Sequence, residues 1–366
     1  MPFREETINE SGFVGIGVDI TERCNRDCPT CFAAKTGRDM NIGVYQRIIE
    51  QGNKLNFPEF YILGGEPGMR KDILEILQYG VEKFKLVFLV TNLDFLANQN
   101  ICEEVAKTGV IVAAQRHTLS TDTNAQRIER IMTGGNHLDT SHAGWKNVEK
   151  YFPPDRVCVQ CCITKPVVES GSIFEVFRWA RQKGYEVVME FTKEGRVFKR
   201  GCEFDISRSE MMKTLKQFQE IDTREFGLSG ASLLSPQAYG KNCHMQETSI
   251  HFRVNGEAIP CVGFPGISYG NIMQIGLEEI MNHPLRQFIK NPLKWIYGYC
   301  REECPYFEQC TGGCRGSAFD ITGCYRASFY YCPHIPNRLN VADMIPPNCT
   351  GCPLEGNPSC HPRRTS

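Results

Sequence analysis

A chain of 366 residues is long enough for one large domain, or for one domain with an appendage. With 41% hydrophobic and 23% charged residues and a formal net charge of −1, it reads as an ordinary globular protein, and its charge argues against nucleic acid or an anionic membrane as partner. No apolar run approaches the roughly 18 residues of a transmembrane helix; the opening MPFREETINESGF lacks the apolar core of a signal peptide, which points to the cytoplasm.

In chain order, short β-branched runs predict strands at FVGIGVDI (13–20), FYILGG (60–65), KLVFLVTN (85–92), GVIVAAQ (109–115), RVCVQCCI (156–163) and YEVVMEF (185–191). Helical patterns separate them: VYQRIIEQGNKL, ILEILQYGVEKF, ICEEVAK, WKNVEKYF and FEVFRWARQKG, and a further helix at 207–222 ends the unit. Strand alternating with helix implies βαβ units and a parallel sheet. Six repeats suit a barrel or partial barrel, although an open doubly wound sheet has the same alternation. From about residue 240 the texture turns to Gly, Pro and Cys without a long periodic helix, predicting a small stapled domain with little core of its own. After Asn340 no periodicity remains.

The 19 cysteines are the anomaly. Without a secretory signal, disulfides are disfavoured and grouped thiols read as metal or cluster ligands. Cys24, Cys28 and Cys31 form C-x3-C-x2-C directly after the first strand, and eleven more lie from Cys243 onward. Three thiols leave a tetrahedral ion or a cubic cluster one ligand short, so a fourth ligand comes from afar or one position stays open. A structural zinc site is the alternative for the triad, and a plain turn is the alternative for Gly64-Gly65-Glu66-Pro67.

The triad followed by Phe32, the second strand ending in Gly64-Gly65-Glu66-Pro67 and the six βα units together resemble the radical S-adenosylmethionine (AdoMet) superfamily. The resemblance implies an α/β partial (β/α)6 barrel whose [4Fe–4S] cluster is held by Cys24, Cys28 and Cys31. AdoMet then occupies the open iron and is cleaved reductively to a 5′-deoxyadenosyl radical that abstracts hydrogen from a C–H bond. It also implies that Phe32, Gly64, Gly65, Glu66 and Pro67 line AdoMet, the glycines by close backbone approach and a carboxylate or carbonyl by accepting from the ammonium. Polar residues at later strand ends, Thr91, Asn92, Gln115, His117 and Glu190, are placed by topology to meet AdoMet or substrate.

The later cysteines run Cys243-x12-Gly256-x4-Cys261, then Cys300-x3-Cys304-x5-Cys310-x3-Cys314, then Cys332. This is similar to the SPASM extension of the same superfamily, with a three-residue first gap in the second block where that pattern has two. The resemblance implies two auxiliary [4Fe–4S] clusters: a proximal one on Cys243, Cys261 and Cys314, and a distal one on Cys300, Cys304, Cys310 and Cys332. The proximal set is one ligand short. An open iron, His244 or His251, Cys324, or one of Cys349, Cys352 and Cys360 completes the choices. The tail trio reads as a third cluster, a donated ligand or accessory thiols, and a zinc ribbon over 300–314 is a further alternative. The implied division is an extension at 1–12, the barrel at 13–225, a linker at 226–242, the SPASM domain at 243–335 and an irregular tail at 336–366.

Period two on the fifth strand puts Cys158, Gln160 and Cys162 on one face and Cys161 on the other. A thiol facing the barrel interior is a candidate hydrogen donor, Cys202 is another, and buried packing is the bland alternative. Many relatives in the subgroup modify peptides and carry a leader-recognition domain before the barrel; with strand one at residue 13, the expectation tilts to epimerisation or dehydrogenation of a small polar metabolite such as an aminocyclitol or sugar. Peptide or protein modification is the alternative, and a non-catalytic iron–sulfur electron carrier or a zinc-binding interaction module the remaining ones. Flavodoxin or ferredoxin is the implied electron donor.

Overall fold

The computed structural model describes residues 14–31, 33–192, 199, 201–228, 248–264, 266–291, 294–310, 312–332, 334–336, 338–358 and 360–362. The six expected strands form within one or two residues of their predicted ends: β1 Gly15–Thr21, β2 Glu59–Gly64, β3 Leu86–Thr91, β4 Ile111–Gln115, β5 Val157–Ile163 and β6 Glu186–Phe191. All are parallel to their neighbours, in spatial order β6-β5-β4-β3-β2-β1. That monotonic order decides between the two candidate architectures. Crossovers that are always right-handed and always step the same way put every helix on one face. A doubly wound sheet reverses direction and covers both. The sheet is an open half-barrel.

Between the strands run α1 Ile42–Lys54, α2 Ile73–Val81, α3 Gln99–Thr108, α4 Thr123–Thr133, α5 Leu138–Tyr151, α6 Lys165–Glu169 and α7 Ser172–Gln182, and α8 Arg208–Glu225 follows β6. Their starts follow from capping side chains: Asn41 accepts from Gly43, Asn98 from Asn100, Asp122 from Ala125, and Ser207 with Glu210 closes a capping box. Helix α4 is missing from the periodicity reading because TNAQRIERIMT offers only Ile128, Ile131 and Met132 as large apolar residues.

Two further short strands extend the sheet beyond β1: β7 Ile250–Phe252 runs parallel to β1, and β8 Ala258–Ile259 pairs back on β7. Sequence does not announce them, being only three and two residues long. The helices that follow are equally short: α9 Leu277–Met281, α10 Pro284–Ile289, α11 Tyr299–Glu302, α12 Phe307–Cys310 and α13 Arg315–Thr322. Expected to have little core of its own, this segment shares the barrel's core. Its buried Phe264, Tyr269, Tyr325, Phe329 and Tyr331 belong to the same continuous cluster as the barrel residues, and Tyr331 stacks on Phe191 of β6 with ring centroids 5.4 Å apart. Aromatic side chains bury large areas each, so a few of them replace what long amphipathic helices supply elsewhere.

Candidate active site

The outward face of each strand is buried under the helices: Ile16, Val18, Phe60, Ile62, Val87, Leu89, Val112, Val159, Cys161, Val187 and Met189 all lie in the core. Period two then fixes the other face. Tyr61, Phe88, Val90, Asn92, Gln115, Gln160, Cys162, Val188 and Glu190 point inward and are half-buried, so the inside of the half-barrel reaches solvent. Tyr61 and Phe88 stack at 4.6 Å on this face. Cys162 pairs with Glu190 in the β5–β6 register. As predicted, Cys158 shares that face and Cys161 does not; Cys158 is buried, however, whereas Cys162 is half-buried. Cys202 sits in the turn before α8, its amide donating to the Lys199 carbonyl at 3.1 Å, and is not part of the sheet.

The Cys24–Cys31 loop leaves β1 at the carboxyl end of the sheet, where Gly64 and Gly65 meet it. Gly65 donates to the Thr21 carbonyl at 2.8 Å and Glu66 to the Arg23 carbonyl at 2.7 Å. A Cβ on Gly64 would lie 2.2 Å from the Thr21 carbonyl oxygen, and one on Gly65 would lie 2.1 Å from that of Arg23; Gly64 also has φ +131°. No side chain fits either place. The glycine pair therefore seats the cysteine loop first, and lining a cofactor is a second use of the same bare backbone.

Glu66 differs from expectation. Its carboxylate points into the protein and accepts from Gly68 N at 3.0 Å, Thr91 Oγ1 at 2.7 Å and Asn92 N at 2.7 Å. Burial pushes its pKa up to about 7, against the pull of those three donors. This side chain ties β2 to β3 and does not face the opening, so it cannot accept from a ligand ammonium. Thr91 is likewise buried and committed to Glu66. His117 is buried too, its Nδ1 at 3.0 Å from Glu129 of α4. Asn92, Gln115 and Glu190 remain half-buried on the inner face, with Asn92 Nδ2 donating to Asn25 Oδ1 at 2.8 Å. Phe32 lies outside the described residues.

A network that sequence reasoning missed holds the loop rigid. Arg26, between the first two cysteines, is buried and its guanidinium bridges Asp94 at 2.6 Å, the Asn92 carbonyl at 3.0 Å and Glu129 at 3.5 Å. Asp94 also receives Asn25 Nδ2 at 2.6 Å and stands 3.2 Å from His137 Nδ1. Asp27 N donates to Thr133 O at 3.0 Å, and Lys35 Nζ donates to the Arg26 carbonyl at 2.5 Å. A planar guanidinium serves several acceptors at once, which is how one residue fastens the loop to β3 and α4 together. The only sequence signal was an arginine inside CNRDC, and its partners are 68 and 103 positions away.

The donor set fits an iron–sulfur cluster: three soft thiols within one loop, all half-buried. Burial raises the pKa of Cys24, while the Arg26 amide donates to its Sγ at 3.4 Å. Burial and the neighbouring Cys31 thiol push Cys28 up to about 12, and the Arg26 charge opposes them.

In the C-terminal region, buried Cys300 follows Tyr299 directly, Cys304 N donates to the Tyr299 carbonyl at 3.0 Å, and Cys332 is buried. Cys310 closes α12. Of the proximal set, Cys261 is buried and the loop after it packs through Phe264 on Phe319 of α13, 5.2 Å between centroids. Cys314 is the N-cap of α13. Cys243 and His244 lie outside the described residues. His251 is fully buried on β7, with Nε2 3.1 Å from Asp19 of β1 and its ring filling the space over Gly17.

A family model described as the radical SAM superfamily matches residues 18–191, and one described as an iron–sulfur cluster-binding domain, SPASM, matches 243–314. The AdoMet-dependent heme synthase of Methanosarcina barkeri is 24% identical over 88% of this chain and 97% of its own length. The PqqA peptide cyclase of Gluconobacter oxydans is 21% identical over 83% of this chain and 86% of its own. Among solved structures, native anSMEcpe with bound AdoMet and Cp18Cys peptide superposes with a TM-score of 0.67 at 16% identity, over 87% of this chain and 93% of that one; this likeness is one of fold. No described helix is long and apolar enough to cross a membrane. Half-barrel, cysteine loop and C-terminal cysteine block agree with both family models: the chain belongs to the radical AdoMet superfamily, in the subgroup whose SPASM domain binds auxiliary iron–sulfur clusters.

Proposed function

We propose that this enzyme modifies a peptide or protein substrate laid along the open inner face of the half-barrel. The observation that carries this reading is the openness itself. From Tyr61 on β2 to Glu190 on β6, Tyr61, Phe88, Val90, Gln115, Gln160, Cys162, Val188 and Glu190 are half-buried, while Ile111, Ala113 and Cys158 on the same face are buried; at ~4.8 Å between strands this face is about 19 Å wide. An extended chain fills such a trough, whereas a free aminocyclitol or sugar is better served by an enclosed pocket. The PqqA peptide cyclase likeness supports the same choice. The earlier preference for a small metabolite rested on where the first strand begins and is set aside.

In this reading Cys24, Cys28 and Cys31 hold the cluster that AdoMet caps. When bound, that pair supplies the means to remove a hydrogen atom from an unactivated C–H bond. The protein's own residues orient and protect. Gly64–Gly65 let AdoMet approach bare backbone, Asn92 and Gln115 offer polar contacts at the strand ends, and Tyr61 with Phe88 gives the substrate an apolar bed. Cys162, half-buried beside Glu190, would return a hydrogen atom, which would make the outcome an epimerisation. Cys243, Cys261 and Cys314 would hold the proximal auxiliary cluster and Cys300, Cys304, Cys310 and Cys332 the distal one, with a flavodoxin or ferredoxin as electron donor in the cytoplasm.

The test supplies the reconstituted enzyme with AdoMet, reductant and either a deuterated peptide library or a deuterated panel of aminocyclitols, sugars and porphyrins. Deuterium appearing in 5′-deoxyadenosine with peptides alone is the expected result. Transfer from the small molecules alone would sink the peptide reading. The full-length likeness to a heme synthase makes the porphyrin arm the one to watch.

A further inference from the structure

Of the eleven cysteines from Cys243 onward, four remain outside both auxiliary sets, and the fold brings them toward one end of α13. Helix α13 ends at Gly323, in the left-handed region at φ +66°, and Cys324 follows it, buried. The tail returns to this point. A Cβ on Gly323 would lie 1.8 Å from the carbonyl oxygen of His361, so only glycine lets the tail backbone dock here. Next to His361, Cys360 Sγ approaches the Gly323 carbonyl at 3.7 Å. Cys349 and Cys352 arrive in one tight turn, Cys352 N donating to Cys349 O at 2.9 Å. Both of these thiols act electrostatically on Cys324, and Cys349 on Cys352. The tail is anchored in place by buried Leu354 and by Asn357 Nδ2, which donates to the Gly266 carbonyl at 3.2 Å.

We propose that Cys324, Cys349, Cys352 and Cys360 hold a further iron–sulfur cluster, a fourth thiolate-ligated centre of this chain beside the AdoMet cluster and the two auxiliary ones.

Geometry separates this site from the proximal cluster. Cys314 caps the start of α13 and Cys324 follows its end, with eight helical residues between. At ~1.5 Å rise per residue they stand about 12 Å apart, too far for two ligands of one cubane. Cys360 reaches the Gly323 carbonyl, at the same end of α13 as Cys324. Cys300 and Cys304 of the distal set belong to the turn that begins at Tyr299. Donors suited to thiolates are already in place: backbone N–H groups of Arg326 and Leu354 bond the sulfurs of Cys324 and Cys352, and the Arg326 charge acts on both. The Arg326 side chain is itself held by Nε donating to the Trp295 carbonyl at 3.0 Å. Such N–H donors and charges stabilise and tune iron–sulfur clusters.

The experiment uses the full chain, purified and reconstituted without oxygen, and reads iron, sulfide and zinc content with Mössbauer spectra. It needs no substrate, so its failure is distinct from failure of the peptide reading. Cys349→Ser/Cys352→Ser is expected to lose about four iron and four sulfide per chain, roughly a quarter of the total. Cys24→Ala/Cys28→Ala/Cys31→Ala should lose a different four, and the combined variant both sets. Cys360→Ser, a single change near the end of the chain, guards against misfolding of the double variant and is expected to lose the same iron or leave a three-iron cluster signal. Unchanged iron in both tail variants overturns the proposal. So does one zinc per chain in the wild type that disappears from them.

Discussion

The two cysteine-bearing regions put the same soft ligands in place by different physical means. The loop at Cys24–Cys31 is fastened by polar contacts to a regular sheet: bare glycine backbone on one side and the Arg26 guanidinium bridging Asp94 and Glu129 on the other. Among its described residues the C-terminal region adds only the short strands β7 and β8 to that sheet. There, stacked rings such as Phe288 on Trp295 at 4.5 Å provide the burial, and fully buried Arg315 donates to the carbonyls of Gly312, Tyr325 and Ala327, acceptors that a regular ladder would otherwise satisfy. The lesson is that an irregular segment can position cluster ligands if something answers its backbone carbonyls; here an arginine does so.

The largest effect should come from Cys28→Ala. AdoMet cleavage should fall to background while the C-terminal iron stays, as read by 5′-deoxyadenosine release and iron content; loss of all iron would show that the two regions are not separable. Gly65→Ala should come next, because its Cβ would meet the Arg23 carbonyl at 2.1 Å. We expect a destabilisation of about 4 kcal/mol in chemical denaturation together with loss of the barrel cluster.

Arg315→Met tests the other side of the comparison. Leaving three buried carbonyls without a donor should cost about 3 kcal/mol and release the C-terminal clusters before the barrel cluster during titration with a chelator. If both clusters are lost together, the regions are coupled more tightly than their contacts suggest.

The pH dependence of the metal-free chain gives a smaller effect. Glu66 titrates higher in the fold, near 7 in place of 4.5. A carboxyl with a raised folded pKa favours folding while protonated, so this contribution is whole below about 4.5 and fades as pH rises to about 7, by up to ~3 kcal/mol. Glu66→Gln should flatten that slope in denaturant melts taken across the window. Arg26→Lys is expected to be the mildest change: it keeps the charge, loses the fork to Asp94 and Asn92, and should cost about 2 kcal/mol, with slower cluster assembly as the second readout.

Much of the fold was legible because period and punctuation are local. Six β-branched runs alternating with amphipathic ones specify parallel βα units, and C-x3-C-x2-C with Gly-Gly-Glu-Pro named the chemistry before any coordinate. What the sequence by itself determined was therefore the strand order's raw material, the face pattern of Cys158, Cys161 and Cys162, and the ligand types. Only tertiary structure decided that the sheet is singly wound and open, since handedness and strand order belong to the packed chain. It alone turned Glu66, Thr91 and His117 inward, because a buried carboxylate or imidazole takes whichever donors or acceptors the neighbouring strand and helix supply. It also gathered Cys324 with Cys349, Cys352 and Cys360 at the far end of a short helix from Cys314, a grouping that spacing along the chain cannot express, because proximity between distant residues is made by packing and not by sequence separation.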